Sequence, residues 1–138
     1  MRAVLVAGCS IALWACGGAP QPAAVVYSDT ASQQVTSDSG ALVLRVYEPV
    51  SQPMGRGVNS LKLVVSAPDG SPEAGESVSM ETWMPAMGHG SAVIPTVAPV
   101  GDGFEVTEIS FPMAGTWQLR ATLSGAVSDH ATLSFDIQ

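Results

Sequence analysis

From Ala41 to the C-terminus the chain alternates apolar and polar residues with a period of two, in short runs closed by Gly, Pro, Asn and Asp. Side chains of an extended strand point alternately to opposite faces, so each run predicts a strand with one buried face. Leu42, Leu44 and Val46 alternate with Val43, Arg45 and Tyr47, up to Glu48 and Pro49. A second run around 59–66 sets Leu61, Leu63 and Val65 on one face, and a third over 76–83 turns Val78 and Met80 inward. Residues 91–100 are β-prone but contain Pro95 and Pro99, which cannot donate to a ladder, so they read as an edge strand or an extended loop. Runs over 104–111, 116–123 and 131–137 complete the set, with turns at Asp69-Gly70, Gly101-Asp102-Gly103 and Pro112 to Gly115. No helical period competes. This pattern predicts an all-β, immunoglobulin-like β-sandwich of about seven strands over residues 41–138.

The segment before the sandwich has a different composition. Arg2 followed by the apolar run Ala3 to Trp14 has the layout of a signal peptide over 1–15, too short to span a bilayer as a helix. The run closes on Leu13-Trp14-Ala15-Cys16-Gly17, which resembles a bacterial lipobox, and that resemblance implies lipidation of Cys16 by several acyl chains. More than one chain gives stable membrane attachment. An ordinary cleaved signal with an incidental Cys16 is the alternative. Residues 16–40, rich in Gly, Pro, Ser, Thr and Gln, read as the lipidated Cys and a flexible tether. With Cys9 in the signal and Cys16 lipidated, the folded domain has neither thiol nor disulfide. The expected location is the periplasm-facing cell envelope; Gly17 after the Cys leans towards the outer membrane.

Charge narrows the partners. Five basic residues against twelve acidic ones give a net charge of −7, with no Lys/Arg cluster to neutralise phosphates, so nucleic acid is not an expected partner. The same balance disfavours attraction to anionic lipid, which leaves the Cys16 lipid as the membrane attachment.

One stretch concentrates side chains with chemistry: Trp83-Met84-Pro85-Ala86-Met87-Gly88-His89-Gly90. Thioether sulfur is soft and suits Cu(I) or Ag(I) better than Zn, Mg or Ca. It stays a ligand in oxidising surroundings where a thiol is bridged or oxidised. His89 adds a nitrogen donor and a pH dependence near neutrality. Pro85 limits the loop, Gly88 and Gly90 permit unusual backbone angles, and Trp83 offers an indole face to a bound cation. Met84, Met87 and His89 are therefore the candidate metal ligands. The competing readings are a methionine plug that closes the end of the sandwich and a contact loop for a partner.

This Met-Pro-x-Met-Gly-His-Gly stretch, Met84 to Gly90, resembles the signature of the YtkA-like family of small bacterial envelope domains. Phe111 to Leu119 looks like a second block, a Met-x-Gly-x-Trp turn that opens a strand, and makes Met113 the weaker additional candidate ligand; the competing and favoured reading is a turn methionine that covers the core. Gln52 to Asn59 looks like the lead into the second strand, where Met54 reads as structural. The resemblance spans roughly 41–137 and implies copper handling or cation export without specifying the partner; a copper acceptor or another envelope protein is the expected one.

Enzymatic signatures are missing. There is no Gly-x-Ser-x-Gly, His-Glu-x-x-His, phosphate-binding glycine loop or dinucleotide fingerprint, and Glu105 and Glu108 are not period-two neighbours. His130, beside Asp129 at a turn, reads as a surface histidine. The expectation is a non-enzymatic lipoprotein that binds Cu(I); the alternative is an immunoglobulin-like interaction module that contacts another envelope protein.

Overall fold

The computed structural model describes residues 23–73 and 75–138, so the signal segment, Cys16 and the first part of the tether lie outside the described residues. The strands run, in chain order, β1 (Gln33–Thr36), β2 (Val43–Tyr47), β3 (Gly57–Ser66), β4 (Ser77–Trp83), β5 (Thr96–Val100), β6 (Gly103–Phe111), β7 (Gly115–Ser124) and β8 (Asp129–Ile137). Among the described residues there is no helix.

Two antiparallel sheets form, ordered β1-β2-β3-β6-β5 and β4-β7-β8. If β2 to β8 are lettered A to G, the sheets read A-B-E-D and C-F-G, the arrangement of constant-type immunoglobulin domains, with β1 added outside A. The alternating runs supply the core between them. Leu42, Leu44, Val46, Leu61, Leu63, Trp117, Leu119 and Leu133 are all buried, each contributing about 1.5–3 kcal/mol relative to leaving it exposed. Trp117 and Phe111 pack between the sheets with ring centroids 5.5 Å apart. β5 is an edge strand, as Pro95 and Pro99 require.

Two features depart from the sequence expectation. The tether expected to run to residue 40 is shorter at its far end, because β1 pairs with β2 from Gln33↔Val46 to Thr36↔Val43. Before it, Tyr27 forms a bridge with Pro49 and donates its phenol hydrogen to Glu105 at 2.6 Å. Burial, and then that carboxylate, push the Tyr27 phenol up to about 12, so it remains a donor. The second departure is in β6. Asn59↔Ile109 and Leu61↔Val106 are paired, so β6 has one residue more than β3 over the same stretch, with Glu108 at φ 58°. This bulge keeps Val106, Ile109 and Phe111 all inward and turns Glu108 out, where it accepts from Thr96 Oγ1 at 2.6 Å.

Hydrogen bonds close the seam between the sheets on the β1–β8 side. Gln33 acts as a short surrogate strand towards β8, its amide nitrogen donating to the Ser134 carbonyl at 2.9 Å. Nearby the Asp38 N–H donates to the His130 carbonyl at 2.8 Å, and Asp129 accepts from the Ser39 hydroxyl and N–H. Hydrogen bonds from the Ser39 and then the Ser37 side chain hold the Asp129 carboxyl down at about 2. His130 is exposed, as expected, and shares its Nδ1 with the Thr122 hydroxyl at 3.3 Å.

Candidate metal centre

β4 delivers the chain into the Met/His loop. Its last strand residue, Trp83, pairs with Gln118 of β7, and period-two alternation then turns Trp83 outward and Met84 inward. The loop closes on itself: the Met84 N–H donates to the His89 carbonyl at 2.9 Å, and the Met87 and Gly88 N–H groups donate back to the Met84 carbonyl at 3.1 and 3.0 Å. Pro85 to Gly88 thus form a tight turn, with Gly88 at φ 68°. Gly90 has an ordinary φ. It is required for a different reason, since a Cβ there would overlap the Thr82 carbonyl oxygen as the chain returns past β4. The Ser91 N–H then donates to Thr82 Oγ1 at 3.2 Å.

The three loop ligands expected from sequence do not share one environment. Met84 is only 6% exposed and belongs to the core cluster. Its Cε packs against Gly115 so closely that a Cβ at Gly115 would overlap it. Met87 is 55% exposed and His89 is exposed beside it in sequence. His89 Nδ1 lies 3.0 Å from the Gly90 carbonyl, an acceptor only, so in the neutral ring Nδ1 carries the hydrogen and the lone pair is on Nε2. The Trp83 face expected to meet a bound cation already has one: the Arg120 guanidinium lies 4.6 Å from the ring centroid. Gln118 Oε1 holds that guanidinium at 2.9 and 3.1 Å.

Met113 lies in the turn between β6 and β7 and is 37% exposed. The Trp117 indole N–H donates to its carbonyl at 3.0 Å, which ties the Met-x-Gly-x-Trp turn to the core. Because Gly115 touches Met84, this turn and the Met/His loop adjoin at one end of the sandwich. Met54 is half-buried in the β2–β3 connection at the same end, where Gly57 pairs with Phe111. Sequence reading gave Arg120 and Asn59 no part in shaping this end, and it placed Gly115 in a turn without its contact to Met84, which is distant in sequence. Cys16 lies outside the described residues.

The donor set is soft. Among the described residues no group of three or more His, Cys, Asp or Glu is placed to hold a metal ion, so a hard-donor centre is not what this end offers. Thioethers and one imidazole are neutral donors whose softness fits a monovalent d¹⁰ ion.

Comparison with curated proteins and with solved structures finds no match. A family profile described as YtkA-like matches residues 25–122, starting near the Tyr27 bridge and ending before β8. The chain belongs to the YtkA-like family.

Proposed function

We propose that this is a non-enzymatic envelope lipoprotein, anchored through lipid on Cys16, that binds Cu(I) as cargo at the Met/His end of its sandwich for copper handling or delivery. The observation that carries the reading is the pairing of an exposed thioether, Met87, with an exposed imidazole whose Nδ1 is already engaged, leaving His89 Nε2 as the donor. Met113 on the adjoining turn supplies a second accessible sulfur. In this reading Met84 is the anchor of the loop, since withdrawing it to ligate an ion would open the core beneath Gly115. Membership of the YtkA-like family is compatible with the reading and leaves the cargo open.

The test is a titration of the full chain, in detergent micelles, with Cu(I) against a colorimetric chelator. One-to-one competition is expected, weakened in Met87→Ala, His89→Ala and Met113→Ala and retained in Met84→Leu. Absence of competition, or binding indifferent to the first three changes, sinks the copper reading. A second reading, an interaction module for another envelope protein, is favoured by exposed Val50, Val58, Met87 and Met113 at this same end. It would take over in that event, with crosslinking in the envelope as its test.

A further inference from the structure

The methionines are unevenly distributed. Among the described residues Met80 alone lies mid-strand, paired with Ala121; Met54, Met84, Met87 and Met113 all lie at or beside the connections β2–β3, β4–β5 and β6–β7. In an antiparallel A-B-E-D/C-F-G sandwich these three connections emerge at one end. The β6–β7 turn is in the middle: Gly57↔Phe111 brings the β2–β3 connection to one side of it, and the Met84–Gly115 contact brings the Met/His loop to the other. The opposite end has no methionine and carries Asp69, Glu73, Asp102 and Asp129. The methionine end is not free of carboxylates, since Glu48 lies beside Met54, but the thioethers are confined to it. Methionines used only to fill gaps would have no reason to collect on three loops.

Met54 is also held more firmly than core filling requires. Its N–H donates to Glu48 Oε2 at 3.0 Å. Buried Asn59 grips the next residue from both sides, accepting from the Gly55 N–H at 2.9 Å and donating to the Gly55 carbonyl at 2.7 Å. A second Asn59 donor contact, to the Gly57 carbonyl at 3.0 Å, completes the clamp. The side chain so presented is half-buried, one flank on the core and the other open.

We propose that Met54 is a further donor of the soft-ion site, which becomes a three-loop set of Met54, Met87, Met113 and His89 standing over Met84 as its floor. The inference rests on the Cu(I) reading above and narrows it: three thioethers and one imidazole, all neutral, select a monovalent soft ion over Cu(II) or Zn(II). The Glu48 carboxylate beside Met54 offsets the ion's charge without ligating it.

The experiment uses the full chain labelled with ¹³C at the methionine ε-methyls, in detergent micelles and titrated with Ag(I), a diamagnetic soft ion that does not change oxidation state. Methyl signals are assigned from single Met→Leu variants. The expected result is that Met54, Met87 and Met113 shift together and saturate at one equivalent while Met80 stays still. Met54→Leu should then weaken Ag(I) binding by about tenfold or more with its unfolding midpoint preserved. Shifts of Met87 and Met113 without Met54 would overturn this inference and leave the soft-ion reading standing. No shift at any methyl would overturn both.

Discussion

Gly115 and Met84 share one small volume. Gly115 has φ 134°, a left-handed backbone that a side chain rarely adopts, and its missing Cβ leaves the space that Met84 Cε fills. Gly115→Ala therefore meets strain and a clash together and should cost about 2–4 kcal/mol, read as a lowered urea midpoint. Combining it with Met84→Ala removes the clash but not the strain, so the double variant should lose less than the sum of the two single losses. Strict additivity would show that the two residues do not meet. At this scale the sequence was a partial guide. The side-chain types were legible, yet nothing local distinguishes Met84 from Met87: both flank Pro85-Ala86, and only packing against β7 makes one a core residue and the other an exposed one. The same holds for Trp83, whose partner Arg120 is distant in sequence and arrives through strand pairing.

Among the elements, β1 contributes out of proportion to its four residues. Val35 packs against the core from it, it covers the β2 edge, and the segment after it carries the hydrogen bonds to Asp129 and His130 that close the sheets along β8. A chain begun at Ala41 lacks all of this. It should unfold at lower temperature than the full chain and self-associate through the uncovered β2 edge, as size-exclusion chromatography would detect. Unchanged stability and a monomeric elution would contradict the role given to β1. The same seam predicts an acid response. Asp129 is held down at about 2, so its stabilisation is complete above the ordinary carboxylate range and disappears as pH falls from about 4 through about 2. Urea midpoints across that window should decline, and Asp129→Asn should flatten the decline. β1 escaped sequence reading because Gln33-Gln34-Val35-Thr36 offers one apolar side chain, too few for a period to register. The β6 bulge escaped as well, since the extra residue is defined only against β3.

At the scale of the molecule, the fold is held by its apolar core. No cysteine occurs from residue 17 to 138, so the unfolding midpoint should be the same with and without reductant. Buried Trp117 should report one cooperative fluorescence transition that coincides with circular dichroism. A reductant-sensitive midpoint, or two transitions, would refute a single disulfide-free core. The sequence by itself determined that this is an all-β domain with six of its eight strands where the alternation lies, because period-two burial is a local property that each strand carries in its own residues. It left residues 91–100 open between an edge strand and a loop. It also singled out the loop rich in methionine and histidine by side-chain chemistry alone. Only the tertiary structure decided which methionines reach solvent, which one plugs the core, and that loops as far apart as Met54 and Met113 meet at one end. Those relations depend on pairings such as Gly57 with Phe111 and on the contact between Met84 and Gly115. Such contacts join residues far apart in the chain, and no local pattern encodes them.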